Sequence, residues 1–463
     1  MSAKGRNIVV VGAGEVGRSV AERLSGEGWN VYVVEKDPVK ASRLSGEIDA
    51  EVICGNGARP HVLAEAGVIR GGDTDMLIAC TNRDEVNMLS CWIAHSAGVS
   101  RVISRTRSLE FTDTPDWGRK LGIDVMISPE RSISREIMSL LEVSSATHAA
   151  ELLGGKAALY TLKMAEGSPL DGMSLKDIRP KFPELNAVFV YVERKEGVSG
   201  VPGGDDILRA GDTCYVVTYK ESANLLQKLL SPNEGGRSSG RVFIVGGGKL
   251  GTQIALMIKR EFGNVSLRII DIDSAKCRKL SEDFGKDLVL NIDGSDRRAL
   301  HDEGIEGADA YICATSSDEL NMIYCAMARR MGARRTIAVV RRRDYSEVAS
   351  DMGISAAVDT YASLSNVILQ YVKYQSHALA YSMIDRINAE MLEVSLRKDV
   401  SVVGHTLAEL KLRKGAVVAL IGRGDEILIP GGATELREGD RVILFAVSDI
   451  MNDTAELFGA ELS

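Results

Sequence analysis

Gly12-Ala13-Gly14-Glu15-Val16-Gly17 and Gly246-Gly247-Gly248-Lys249-Leu250-Gly251 are one pattern written twice, 246 − 12 = 234 residues apart. Each follows an apolar run of strand type, Ile8 to Val11 and Val242 to Val245, and each opens a helical pattern. At such a junction the first glycine permits a tight turn, the second lets a pyrophosphate approach the backbone, and the third lets the helix pack on the sheet. A single copy is weak evidence, because glycine-rich turns are common. Two copies in register constrain the chain to a duplicated α/β fold of two Rossmann-like doubly wound parallel sheets.

The register extends past the glycines. Asp75 to Thr81 lines up with Asp309 to Thr315, and Asp84-Glu85-Val86-Asn87 with Asp318-Glu319-Leu320-Asn321, again at 234. Between them Gly57 pairs with Gly294 at 237, a change of three residues that a surface loop tolerates. Strands and helices alternate in each copy and end in a strand, Arg101 to Thr106 and Arg335 to Val340. A helical pattern follows each, Ser132 to Val143 and Ser363 to Tyr374, and is expected to leave its own sheet and bridge to a neighbour.

A smaller module repeats after each copy. Pro202-Gly203-Gly204 with Leu208 and Gly211-Asp212 matches Pro430-Gly431-Gly432 with Leu436 and Gly439-Asp440, at a spacing of 228. Gly172 with Leu175 likewise matches Gly404 with Leu407. These read as small α+β lobes. The expected division is a Rossmann domain at 1–128, a crossover helix at 129–146, a lobe at 147–230 and a linker at 231–240. The second set is a Rossmann domain at 241–358, a crossover helix at 359–385 and a lobe at 386–463.

A net charge of −8 gives no overall attraction to nucleic acid or anionic lipid, so no nucleic-acid partner is expected. Arg334-Arg335 with Arg341 to Arg343 is the candidate basic patch. No apolar stretch reaches the roughly 20 residues that span a bilayer, and no secretory leader opens the sequence, so a cytoplasmic location is expected. The seven cysteines form no C-x-x-C pair, and Cys54, Cys80 and Cys313 sit in apolar runs as expected buried hydrophobes. His61, His95, His148, His301, His377 and His405 are isolated, and none recurs at an equivalent place in the other half. That leaves no evident acid, base or metal set for hydride-transfer chemistry.

The strand Asn30 to Glu35 ends in an acid 35 − 14 = 21 residues after the middle glycine, where a carboxylate accepts hydrogen bonds from ribose hydroxyls. Glu35 therefore favours NAD(H) or a simple adenine nucleotide over a 2′-phosphorylated ribose. Asp271, ending Val265 to Ile270, repeats that role, and two readings of the second copy stay open: a live site and a scaffold that has lost its ligand. Thr81, Asp84, Glu85 and Asn87, with Thr315, Asp318, Glu319 and Asn321, fall where a strand meets a helix; Thr or Asp can cap the helix while the free donors face a ligand, or capping is the whole role. Gly55-Asn56-Gly57 and Asp293-Gly294-Ser295 lie on the same carboxyl edge. Arg105 closes the fifth strand, either as a phosphate partner or in a surface ion pair.

In the order Rossmann unit, small lobe, linker, Rossmann unit, small lobe, the whole chain resembles the TrkA family, the cytoplasmic nucleotide-binding subunits of bacterial and archaeal Trk potassium uptake systems. The Rossmann parts look like the domains called RCK or KTN. The Pro-Gly-Gly…Gly-Asp lobes look like the TrkA C-terminal domain and are the more diagnostic part. The resemblance implies a non-enzymatic regulatory subunit, a homotetramer whose RCK domains form a ring. It also implies peripheral membrane association at the inner face of the cell membrane, beneath a TrkH- or TrkG-type potassium-translocating subunit. NAD(H), or alternatively ATP/ADP, is the implied ligand. Its positions carry over to Gly12, Gly14, Glu15, Val16, Gly17 and Glu35, and to Gly246, Gly248, Lys249, Leu250, Gly251 and Asp271, with Asn56, Thr81, Arg105, Asp293 and Thr315 as further positions. Arg341 to Arg343 departs from Ser104-Arg105-Thr106, so the two sites are expected to differ. The rival readings are an NAD-dependent oxidoreductase with duplicated Rossmann domains and a free-standing nucleotide sensor.

Overall fold

The computed structural model describes residues 6–26, 28–108, 111, 116–232, 240–262, 265–342, 344–360, 365, 368–369, 371–372 and 378–460. By contacts the chain divides into two units, Met1–Ser132 with Tyr361–Leu369, and Ile133–Thr360 with Gln370–Ser463.

In the first unit the β-branched runs form β1 (Asn7–Val11), β2 (Asn30–Glu35), β3 (Glu51–Cys54), β4 (Thr74–Ala79), β5 (Arg101–Arg105) and β6 (Val125–Ile127). They pair in the order β3-β2-β1-β4-β5-β6, all parallel. The order reverses between β1 and β4, which opens a crevice at the carboxyl edge of the sheet, where ligands of this fold bind. Val9, Val11, Leu77 and Val102 pack one face against Leu63, Cys91 and Ala94 of the helices Pro60–Glu65 and Asp84–Ala97. From the late stretch, Ser365 and Leu369 are buried in this unit, and the Ser365 hydroxyl donates to Ser19 Oγ at 3.3 Å.

The second unit holds three sheets. One is antiparallel, in the order β7-β8-β10-β9, from β7 (Ala146–Leu152), β8 (Ala157–Lys163), β9 (Ala187–Glu193) and β10 (Thr213–Tyr219). The next repeats the parallel order as β13-β12-β11-β14-β15-β16, from β11 (Arg241–Val245), β12 (Ser266–Ile270), β13 (Val289–Leu290), β14 (Ala310–Cys313), β15 (Thr336–Val340) and β16 (Ala356–Asp359). The last is antiparallel, β17-β18-β21-β19-β20, from β17 (Ala378–Ile384), β18 (Ala389–Ser395), β19 (Ala416–Arg423), β20 (Glu426–Leu428) and β21 (Arg441–Val447).

The helix Pro129–Glu142 does leave its own sheet. Its Ile133, Ile137 and Leu140 share one buried core with Ile244, Ile312, Ile337 and Val339 of the second parallel sheet. Arg335, only 2% exposed, fixes that arrangement by donating to the carbonyls of Val143 (3.0 Å) and Ala146 just beyond the helix end. A cation there meets the negative end of the helix dipole. The candidate basic patch therefore does not form as expected: Arg335 is interior, and Arg343 lies outside the described residues. The two small lobes share a core of Leu152, Leu159 and Tyr215 with Met391, Leu420 and Phe445. Glu393 ties them, accepting from the Leu153 N–H at 3.0 Å and from Arg441.

Three expectations need correcting. The segment 359–385, read as one crossover helix, ends in the strand β17, and β7 begins at Ala146, inside the first crossover segment. The extended pairing with β18 and β8 wins there over a helical pattern read across a boundary. Cys54 is exposed at the end of β3 rather than buried, whereas Cys80 and Cys313 are interior. Of the linker 231–240, residues 233–239 lie outside the described residues, as do 363–364, 366–367, 370 and 373–374 of the second crossover pattern and His377.

Within each lobe the Gly-Asp pair has a mechanical role. Asp212 accepts from Arg194 Nη1 at 2.8 Å and from the N–H groups of Lys195 and Arg209, both at 3.1 Å. Asp440 accepts from Arg423 Nε (2.8 Å) and Nη2 (2.7 Å) and from the Arg437 N–H (2.9 Å). The Pro-Gly-Gly turns close onto Asp206 and Thr434, whose side chains accept from Gly203 N–H (2.7 Å) and Gly431 N–H (2.9 Å).

Candidate functional site

The expected site residues of each copy lie in the loops and helix starts that follow the carboxyl ends of its parallel strands, or at the strand ends themselves. Glu15 and Val16 open the helix Glu15–Gly26, and Lys249 and Leu250 open Lys249–Phe262. Gly12 and Gly246 have φ of +103° and +105°, a conformation that side chains resist. The third glycines are packing requirements: a Cβ on Gly17 would lie 1.9 Å from Gly12 O, and on Gly251 1.8 Å from Gly246 O. The middle glycines differ from both. A Cβ on Gly14 or Gly248 would meet no protein atom within 4 Å, so their backbone faces open space. Packing within the protein does not explain those glycines.

The acids already clasp the loops. Ala13 N–H donates to Glu35 Oε2 at 2.8 Å and Asp37 N–H to Oε1 at 2.9 Å. Gly247 N–H donates to Asp271 Oδ2 and Asp273 N–H to Oδ1, both at 2.8 Å. Each carboxylate keeps further lone pairs beyond these two bonds. Both acids are 8% exposed, each held against its own glycine loop.

The Thr-x-x-Asp-Glu-x-Asn run locks the strand end to the helix through its asparagine. Asn87 Oδ1 accepts from Thr81 N–H (2.9 Å) and Oγ1 (2.7 Å), while its Nδ2 donates to Thr81 O (3.1 Å) and Arg105 O (2.9 Å). Asn321 repeats this with Thr315 and Val339 O. Neither Thr81 nor Asp84 caps its helix, whose N-cap is Arg83. In the second copy the cap is Ser317, which accepts from Leu320 N–H. Asp84 instead accepts from the N–H groups of Arg107 and Ser108, and Asp318 from those of Arg341 and Arg342. This staples the strand end to the helix start, so the threonines line the crevice as a fixed rim.

These bonds correct the register of the basic residues. The counterpart of Arg105 is Val339, and that of Arg107 is Arg341, each at 234. Arg105 is half-buried, with its Nε enclosed and without a hydrogen-bond partner among the described residues. Its charge reaches Cys80, whose thiol burial pushes up to about 12 against the lowering effect of Arg105. Cys80 in turn borders the glycine loop, 3.1 Å from a Cβ placed on Gly17. An enclosed guanidinium N–H left unpaired costs about 1–3 kcal/mol, which an anionic ligand would offset.

Asn56 is exposed after β3, its Oδ1 accepting from Ala58 N–H at 3.0 Å. Asp293 has a different role: its Oδ1 accepts from Ser295 Oγ (2.6 Å), Ser295 N–H (2.7 Å) and Tyr324 OH (3.2 Å). Those bonds, the Ser295 hydroxyl first, hold its carboxyl below the ordinary value. Among the described residues no group of three or more His, Cys, Asp or Glu can hold a metal ion.

Comparison with known proteins agrees with this geometry. The TrkA-N domain family matches residues 8–129 and 242–360, and the TrkA-C domain family matches 159–231 and 391–459. The Trk system potassium uptake protein TrkA homolog 2 of Methanosarcina mazei is 32% identical, over 97% of this chain and 99% of its own. TrkA of Azorhizobium caulinodans is 28% identical over 98% and 99%. Among solved structures the GsuK RCK domain aligns with a TM-score of 0.61 at 19% identity, over 100% of this chain and 96% of that one. A GsuK channel bound to NAD aligns at 0.60 and 20% identity, over 100% and 80%. Duplicated glycine-loop crevices, duplicated Gly-Asp lobes and these matches along the chain lead to one conclusion: the chain belongs to the TrkA family.

Proposed function

We propose that this chain is the nucleotide-binding regulatory subunit of a Trk-type potassium uptake system, and that NAD(H), with ATP/ADP as the alternative, sets its activity. The observation that carries the reading is the pair of acids, Glu35 and Asp271, each buried against its own glycine loop beside a middle glycine that faces open space. A bound nucleotide would supply negative phosphate charge and ribose hydroxyls. The loop N–H groups attract the charge, the acids select an unphosphorylated ribose, and Arg105 takes up charge at the end of β5 in the first crevice. Such a ligand controls a partner only by binding two conformations with different affinity.

Assembly as a ring-forming homotetramer is supported by a surface that occurs twice. Leu89 and Trp92 on the helix Asp84–Ala97 are exposed, and so are Leu320 and Ile323 on Asp318–Arg330, with Leu89 and Ile323 in register at 234. Apolar stripes repeated in both halves suit association between copies of the chain. Among the described residues no helix is long and apolar enough to cross a membrane. Peripheral attachment at the inner face of the cell membrane, through a TrkH- or TrkG-type potassium-translocating partner, is consistent with that.

The reading is tested by titrating the full chain with NADH or ADP and comparing Glu35→Ala. Loss of a charged acceptor for ribose should weaken binding in the first crevice roughly 10- to 100-fold. Unchanged affinity in a variant that melts like the parent would overturn the assignment of that crevice.

A further inference from the structure

His148 stands alone in the sequence, yet the fold gives it a carboxylate. It lies on β7, and its Nδ1 is 3.2 Å from Oε1 of Glu136 on the helix Pro129–Glu142. The Glu136 side chain is 12% exposed and that of His148 37%. The pair therefore bridges a seam, the one between the crossover helix and the first strand of the first lobe. His301, by contrast, meets its neighbour Asp302 at 3.8 Å inside one helix, with both side chains exposed.

Two other clamps hold the same seam. Lys220, just after β10, binds Glu142 at the helix end, Nζ to Oε1 at 2.8 Å. Arg335 donates to the carbonyls of Val143 and Ala146. Lysine and arginine stay charged across the physiological range, whereas histidine does not. Opposite His148 on β8 stands the uncharged Thr161, and β16, packed against β7, ends in Asp359. Further along β7, burial raises the Glu151 carboxyl against the pull of Arg135 and Lys220. Glu136 is the charge that acts on His148. Burial opposes the protonated imidazole, and the hydrogen bond and charge of Glu136 more than offset it, so His148 titrates above its ordinary value of 6.5. The charged pair thus strengthens the seam fully below about pH 6.5 and fades as pH rises through the folded-state value.

The first lobe has this arrangement and the second does not. By strand register the counterpart of His148 is Ala380, since His148 pairs with Thr161 and Ala380 with Glu393, and 380 − 148 = 393 − 161 = 232. Ser448 stands in the place of Lys220: the Lys220 N–H donates to Lys156 O, and the Ser448 N–H to Asn388 O.

We propose that His148 and Glu136 form a proton-operated latch: proton binding draws β7 of the first lobe onto the crossover helix, and proton loss loosens that seam while Lys220 and Arg335 keep it from opening. The latch gives the chain a proton input separate from the two crevices, and it does not depend on the nucleotide reading.

The test is hydrogen–deuterium exchange of the full chain at about pH 6 and about pH 8, corrected for the intrinsic pH dependence of amide exchange and read on segments 133–142 and 146–152. Protection of both should be roughly two- to fivefold higher at the lower pH, the size expected for a partly exposed ion pair. Segment 378–384 of the second lobe, which carries Ala380, should show no such change. His148→Gln and Glu136→Gln should hold both segments at the lower protection at either pH. His148→Lys, which stays charged, should hold them at the higher protection at either pH, a result that a packing role for the imidazole would not give. Equal protection of the parent at both pH values, a pH response that survives in His148→Gln, or a His148→Lys variant that responds to pH like the parent would each overturn the inference.

Discussion

Gly251→Ala is expected to destabilise the second unit by about 3 kcal/mol, although alanine is the better helix former by roughly 0.5–1 kcal/mol. Propensity loses because the added Cβ would sit 1.8 Å from the Gly246 carbonyl oxygen, inside the contact distance of any real pair. Relief requires the loop to move away from the helix start. Gly246 cannot move freely, since its N–H donates to Ile270 O at 2.8 Å and a Cβ there would already meet Ala314 O at 2.7 Å. The displaced loop also drags Gly247 off Asp271, so the variant should lose the second-crevice ligand together with stability. Denaturant unfolding followed by nucleotide titration checks both effects. Gly248→Ala is the control: its Cβ meets nothing, so it should cost little stability and act on ligand affinity alone.

Asp212→Ala should cost about 3–5 kcal/mol, the usual result of removing one partner from a buried ion pair. Asp212 is 2% exposed, and the Arg194 side chain facing it is 12% exposed, so little water can replace the lost carboxylate. Two backbone donors, Lys195 N–H and Arg209 N–H, lose their acceptor at the same time. The damage spreads because the first lobe shares one core with the second parallel sheet and another with the second lobe. A single cooperative thermal transition shifted to lower temperature is the expected readout. Asp440→Ala should act in the same direction and less strongly, because Arg423 is 26% exposed and better hydrated.

The doubled fold is legible in the sequence because its determinants are local and occur twice. The strand runs, the glycine turns and the acids at 35 and 271 each fall within one strand-turn-helix unit, and the constant spacing of 234 checks one copy against the other. Contacts made far along the chain escape such a reading. Nothing near Arg335 shows that its partners are the carbonyls of Val143 and Ala146, some 190 residues earlier. Val339 is the counterpart of Arg105, two residues before the arginine run 341–343, and only the Asn87 and Asn321 bonds to the two strand-end carbonyls show that register. The sequence places Asn87 and Asn321 in a run that fits a helix start, where Thr or Asp is the expected cap. Their lock on Thr81 and Thr315 appears only when the strand end comes back against the helix. The β17 strand is not legible in the sequence because its pairing partner β18, not its own pattern, fixes its conformation.

Potassium flux into vesicles containing a TrkH-type membrane subunit, measured with and without this chain and across NADH and ADP concentrations, tests the central claim most directly. The account predicts that flux depends on the chain, that nucleotide shifts it, and that Glu35→Ala moves the nucleotide response to higher concentration without abolishing binding to the membrane partner. Flux that is indifferent to nucleotide while the chain is bound, or a Glu35→Ala response identical to the parent, would contradict it.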